Sequence, residues 1–467
     1  MTLYSRRKVL KSGAAITGGL CLAQNRFALG EPTKEPHFYL QLYYSGGFDS
    51  SYLFDARPLS FTAAGKIQNY LGQDPTPWVG SNGQSCLASS LVAPLVPFRE
   101  HFSVINGVLA PSRDDGHDQN RNVLFTGNSF GGESYFPFLN EVLTPRGSLD
   151  FFISGDLSVP FSNGMSSISL KAEGVSSFSK LVANSKGLSS QEPAVDFVRS
   201  RLQLGSNGPG RFSEGIRNML TGLNESYSVA NKFRNIDTQL GQSDSRILKE
   251  LKSAHKLFVS GITNTFVISD VSNRNNLIDL DTHDGESASQ QPATYAAIVA
   301  EIAETFSFLK STVFDESKGL SLLDVTTVLI SSEFNRTNYQ EGMSMDKTGT
   351  DHNSLSNMML IGGKGIKGGQ VIGATDLDVL DDKGLYQNLS KAHLEFDPEL
   401  IKRMGKPFDF DTMRPASESQ EDFNADQYLT MASIANTILK MYGCDESKYW
   451  SNTRNSGKAK ILSGLLT

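Results

Sequence analysis

Cysteine is scarce in this chain of 467 residues, with Cys21, Cys86 and Cys444 the only three. That excludes a disulfide-dense scaffold and, since none has metal-site spacing, a thiolate zinc site. One Cys86–Cys444 disulfide is the most an oxidising compartment allows once a leader is removed. Charge of one sign is also missing: a net charge of -7 with 20% charged residues leaves no polybasic face for nucleic acid or membrane. No basic cluster has interleaved aromatics, no Gly-rich phosphate loop follows a strand, and no internal repeat is present. The apolar run Ala14 to Ala23 is too short to span a bilayer. What is there, 39% apolar residues, describes a globular protein with one large α/β domain or two modest ones.

The first residues are a processing signal. Ser5-Arg6-Arg7-Lys8-Val9-Leu10-Lys11 supplies a charged start to the short apolar run. The paired arginines resemble a twin-arginine export signal, with an ordinary secretory leader as the alternative. Residues 1–30 are therefore expected to be a leader cut between Ala23 and Gly30. The expected partner is the twin-arginine export machinery, which carries proteins already folded and suits a chain that acquires a metal before export. The mature protein is expected to be periplasmic or secreted, without a membrane span. Cys21 follows Leu20, not a small residue, which argues against a lipoprotein anchor.

In the mature chain, apolar runs alternate with helical patterns. His37–Tyr44 and Phe102–Leu109 read as strands, and Val325–Ser332 is a β-branched run suited to a buried parallel strand. Met358–Gly363 reads as a short strand, and the glycines through Gly369–Gly373 as hairpin and turn residues. Amphipathic spacing predicts helices over Phe212–Leu240, Asp244–Val259, Tyr295–Leu309 and Tyr428–Tyr442. His255, at helical spacing with Leu248, Leu251 and Phe258, reads as a core-edge histidine. From Leu157 to Gly210 serine, asparagine and glycine dominate, marking a helical and loop-rich insertion over about 157–260. The expected architecture is one α/β domain over 31–467, a mostly parallel central sheet with helices on both faces.

Acids and histidines fall where those strands end. Asp279-Leu280-Asp281-Thr282-His283 alternates, so an extended backbone turns Asp279, Asp281 and His283 to one side. Asp49 follows Gly46-Gly47, Glu333 closes Val325–Ser332, and Asp351-His352 lies in the next loop. Each has a plainer reading as a wet edge, a turn residue or an ion pair. Together they crowd like charge at the carboxyl rim of a parallel sheet, where ligands bind. A divalent cation relieves that repulsion, and mixed carboxylate and imidazole donors suit zinc, manganese or iron better than calcium. Arg336 is expected either to grip a substrate anion or to pair with Glu333.

Gly46-Gly47-x-Asp49, Asp281-Thr282-His283, Ser332-Glu333-Phe334-x-Arg336-Thr337, Asp351-His352 and Ile361–Asp376 together resemble a family of twin-arginine-exported bacterial proteins of unknown function. That family is related to the alkaline phosphatase and sulfatase superfamily. The resemblance implies that superfamily's fold and one or two divalent ions, zinc or manganese first. It implies Asp49, Asp281, His283, Glu333, Asp351 and His352 as metal ligands. Where the relatives carry Asp followed by His, this chain has Glu333 and Phe334. Arg121-x-x-Leu124-x-Thr126-Gly127 resembles a sulfatase run whose modified Cys or Ser falls here on His117. His117, Arg121 and Arg336 are thus the catalytic candidates, with His117 open as nucleophile, ligand or acid for the leaving group. The implied activity is hydrolysis of a phosphate or sulfate ester, on a small anionic substrate or a sulfated or phosphorylated polymer. The alternative is an inactive exported binding or scaffold protein that keeps the fold and one metal.

Overall fold

A computed structural model describes residues 36–59, 71–110, 116–128, 134–143, 147, 149–155, 157, 167–170, 232, 244–269, 280–283, 290–336, 350, 352–376, 404–416, 424–452 and 457–467. The leader and the Phe212–Leu240 helix fall outside these residues, apart from Lys232, as do Asp279 and Asp351.

The frame is an eight-stranded sheet. Its strands are β1 (Phe38–Tyr43), β2 (Phe102–Val108), β3 (Phe151–Ser154), β4 (Ser167–Leu170), β5 (Thr265–Ser269), β6 (Thr326–Ser331), β9 (Asn357–Gly363) and β10 (Val371–Ile372). Two short strands outside it, β7 (Asn335–Arg336) and β8 (His352–Asn353), pair antiparallel with each other. Spatial order in the sheet is β10-β2-β9-β6-β1-β5-β3-β4. Among the described residues, only β9 runs against its neighbours β6 and β2, so the sheet is mostly parallel, as expected.

Both faces are covered, which is why the strands are apolar almost throughout rather than alternating with polar residues. Phe38, Leu40 and Leu42 of β1 join Phe266, Ile268, Val328 and Ile330 on one face. Helices α3 (Arg246–Val259) and α4 (Gln291–Ser311) cover it through Leu251, Phe258, Ile298, Ile302 and Phe306. Tyr39 and Tyr43 turn to the other face with Val267 and Leu329. That face lies under α1 (His117–Thr126), α2 (Phe136–Val142) and α5 (Met431–Tyr442). Local chemistry fixes these ends: Ser245 and Thr430 cap α3 and α5 by accepting from Leu248 N and Ser433 N, and Gly443 closes α5 at φ 79°.

Several boundaries move. Helix α4 starts at Gln291 with Pro292 in its first turn, ahead of Tyr295. The glycine-rich stretch is not simply a hairpin: Val371 and Ile372 form β10, parallel to β2. Within the span expected as an insertion, β4 extends the sheet beside β3 and α3 packs on the face shared with α4. His255 is half-buried with its ring 6.5 Å from Phe308, and burial lowers its pKa. Cys86 and Cys444 are free thiols, so they form no disulfide. No helix among the described residues is long and apolar enough to cross a membrane.

Candidate metal centre

Parallel order brings the carboxyl ends of β1, β6, β5 and β2 to one rim. There the loops after β1 and β6 bind each other: Phe48 N donates to Phe334 O at 3.0 Å and Arg336 N to Phe48 O at 2.7 Å. Gly47 makes this approach possible, with φ +87° and a Cβ that would sit 2.4 Å from the Phe334 ring. The segment holding Asp281 is irregular, not a strand, yet its side chains alternate. Leu280 and Thr282 are buried, whereas Asp281 and His283 turn outward. Thr350 N donates to Thr282 O at 2.7 Å, tying this segment to the loop that carries His352.

Asp281 is the hub. Its Oδ1 accepts from Arg336 Nη1 at 2.8 Å and lies 2.9 Å from His283 Nε2 and 3.3 Å from His352 Nε2, while Oδ2 lies 3.2 Å from His117 Nε2. The Nε2 atoms of His283 and His352 are themselves 3.2 Å apart. One carboxylate oxygen lacks the lone pairs to accept from three donors, and two adjacent imidazole nitrogens aimed at it crowd either protons or lone pairs. Ligand atoms of His117, Asp281 and His352 all lie within 4.8 Å of one another.

His117 supplies the sharper test of whether these residues fit a metal. Its Nδ1 lies 2.8 Å from Glu333 Oε1, and Glu333 is 0% exposed. That carboxylate also accepts from Gly46 N at 2.8 Å, and from Tyr43 Oη and Ser332 Oγ at 3.0 Å each. Nδ1 must therefore carry the proton given to Glu333. His117 Nε2 is buried without a hydrogen-bond partner; its 3.2 Å approach to Asp281 is an ion-pair contact and not a hydrogen bond. A half-buried imidazole whose Nδ1–H is held by a carboxylate is oriented as a metal-ligating histidine is. The residues fit, and the His117, Asp281 and His352 group could hold a metal ion.

The same charges set the protonation of the metal-free centre. Burial opposes charging His117, but Asp281 and Glu333 beside it win and lift its pKa to about 9. Burial likewise pushes the Asp281 carboxyl up, and His117, His283, His352 and Arg336 outweigh it to hold the group well below the usual carboxylate range. Glu333 is also lowered: against its burial stand the His117 bond and charge and the Gly46 N–H.

The remaining candidates are not members of the group whose ligand atoms converge. Asp49 caps the turn Ser50–Tyr52, its Oδ1 accepting from Ser51 N at 3.0 Å and from Ser51 Oγ. Arg336 is 0% exposed and does not pair with Glu333. Its guanidinium is engaged by Asp281, by Thr350 Oγ1 at 2.9 Å and by Thr350 O at 2.9 Å, so it holds the site's acid and does not stand open to an incoming anion. Arg121 pairs with Asp118 one helical turn away, still on α1. Phe334 is buried with its ring centroid 4.8 Å from that of His117 and 4.5 Å from that of His352. Sequence reasoning gave no role to Tyr43, three residues before Gly46, or to Thr350, next to Asp351, and quoted Ser332 only as part of a motif, because hydroxyls carry no periodic signal.

Residues 270–395 match a family described as protein of unknown function (DUF1501). No curated protein matches the chain. Among solved structures, lipoteichoic acid synthase LtaP from Listeria monocytogenes is 9% identical with a TM-score of 0.33, over 97% of this chain and 84% of that one. The integral membrane protein lipooligosaccharide phosphoethanolamine transferase A from Neisseria meningitidis is 8% identical with a TM-score of 0.32, over 77% of this chain. The PsFucS1 sulfatase from Pseudoalteromonas sp. is 11% identical with a TM-score of 0.29, over 78% of this chain. This chain spans 55% of the transferase's length and 66% of the sulfatase's. Likenesses this distant carry nothing about chemistry, which rests on the site itself.

Proposed function

We propose that the protein is an exported, metal-dependent hydrolase of phosphate or sulfate esters. The observation that supports it is the convergence of His117, Asp281 and His352 within 4.8 Å, with His283 Nε2 only 2.9 Å from the same carboxylate. In this reading His117, Asp281, His283 and His352 hold one divalent ion, zinc or manganese by the donor set. When bound, the ion supplies Lewis-acid polarisation of a phosphoryl or sulfuryl oxygen. Arg336 keeps Asp281 ionised and aimed, and Glu333 keeps His117 in one tautomer. Phe334 walls the two imidazoles from water on one side. His283 is 44% exposed and faces the solvent from which an anionic ester, small or polymeric, arrives. The Ser5–Lys11 leader supports export through the twin-arginine route to a periplasmic or secreted destination. Elemental analysis of exported protein, with turnover of aryl phosphates and aryl sulfates in added zinc or manganese, tests this. No bound metal and no turnover would sink it.

A second reading is an inactive binding or scaffold protein that keeps the ion. It is favoured by the enclosure of Arg336 and by an imidazole where the resembling sulfatases carry Cys or Ser. His283→Ala separates the two: lost turnover in a folded protein supports the enzyme, lost partner binding the scaffold.

A further inference from the structure

We infer that Glu333 is a positioning residue and not a metal ligand, and that the centre accordingly takes one ion; this deepens the metal reading above and rests on it. A carboxylate offers about four lone-pair sites. Those of Glu333 are taken: Oε1 accepts from Gly46 N and His117 Nδ1, each at 2.8 Å, and Oε2 from Tyr43 Oη and Ser332 Oγ, each at 3.0 Å. Ligating an ion would orphan at least one of these donors in a place 0% exposed, a loss that such burial makes costly. What Glu333 does instead is fix His117. With Nδ1–H committed to Oε1, the ring's rotation is fixed and the Nε2 lone pair is left unprotonated, with Asp281 Oδ2 3.2 Å from Nε2. Tyr43 comes from β1 and Ser332 follows β6, so two central strands set the rotation of an imidazole on α1.

A second ion would need donors that this rim does not offer among the described residues. Position 334 is an apolar ring set against both imidazoles. Asp49 Oδ1 is engaged by Ser51 N and Oγ, and Asp49 is not in the group whose ligand atoms converge. Among the described residues, the one-ion centre thus consists of three imidazoles and one carboxylate, with a buried second carboxylate behind one imidazole.

The test uses the mature full-length chain, zinc(II) titrated against a competing chelator, and cobalt(II) absorption spectra. Wild type is expected to bind one equivalent. Glu333→Gln and Glu333→Ala should still bind one equivalent, about 10- to 100-fold more weakly, with the cobalt bands of an unchanged ligand set. In zinc-loaded protein with labelled histidine, a His117 Nδ1–H resonance should be present in wild type and displaced in Glu333→Ala. Two equivalents in wild type with one lost in Glu333→Gln would overturn the inference, as would unchanged affinity in Glu333→Ala. If both variants fail to fold, Tyr43→Phe takes their place with a few-fold weakening expected. Absence of the Nδ1–H signal in loaded wild type still refutes the inference. The outcomes separate the two levels. One ion without ester turnover overturns the hydrolase and leaves Glu333 its role. Turnover with Glu333 variants binding like wild type overturns the role and leaves the hydrolase. No zinc bound overturns both.

Discussion

His37 and His117 stand at opposite ends of the same sheet and are driven in opposite directions. His37, just before β1, donates or accepts at 2.8 Å with Thr327 Oγ1 and stacks on Tyr442 with ring centroids 4.1 Å apart. Burial, with the Lys364 charge behind it, lowers its pKa to about 3. At the carboxyl rim His117 is also partly buried, but two carboxylates flank it and raise its pKa to about 9. Burial alone thus produces a neutral, structural imidazole. Burial beside acids produces one that must hold a proton or an ion. The difference lies in neighbours supplied by distant strands, since β6 gives Thr327 to one histidine and leads directly to Glu333 at the other.

The strongest way to break this contrast is to remove the rim's hub. Asp281→Ala should abolish zinc binding in the same chelator titration. It should also lower unfolding free energy by about 3 kcal/mol in urea melts, because it strands the enclosed Arg336 charge. That figure is the low end for a broken buried pair, since Asp281 is itself 32% exposed. A Gly47→Ala substitution should cost roughly 2–4 kcal/mol by the same melts, from positive-φ strain plus the collision with Phe334. Gly319→Ala, at φ +64° with nothing within 4 Å, should cost only about 1 kcal/mol.

The pH dependence of stability sharpens the comparison in metal-free protein. For His37 the folded pKa lies below the unfolded one, so its contribution is intact above pH 6.5 and is lost as pH falls towards about 3. The His117 contribution runs the other way: it is fully present below pH 6.5 and is lost as pH rises through about 9. Urea melts across pH should therefore show His37→Gln removing an acid-side slope of up to about 1.4 kcal/mol per pH unit while leaving the alkaline limb. Loss of both limbs would mean the two ends are coupled. The smallest effect should come from Asp49→Asn, which preserves the cap on Ser50–Tyr52. Its expected cost is about 1 kcal/mol or less, with zinc stoichiometry unchanged. Loss of the ion in that variant would return Asp49 to the ligand set.

Much of this frame was legible from residue order. The β-branched Val325–Ser332 run could hardly be anything but a buried strand, and β6 occupies Thr326–Ser331 within it. The 280–283 alternation was readable too, because extended backbone has a period of two whether or not it joins a sheet. The surroundings of Arg336 were not legible, since an arginine beside an acid looks the same in sequence whether it is open or enclosed. Burial decides that, and burial here depends on Thr350 and Gly46, which no local pattern links to it. The short β10 hid among glycines because two residues carry no period.

By itself the sequence determined which residues extend, which coil, and that acids and histidines follow the strands, since propensity, periodicity and turn chemistry act over a few neighbours. Only the tertiary structure decided which of them meet. His117 and Glu333 lie 216 positions apart, and their contact exists because β2, β6, β1 and β5 run parallel and deliver their ends to one rim. Nonlocal packing then divided the two acids, leaving Asp281 part-exposed among imidazoles and sealing Glu333 behind them.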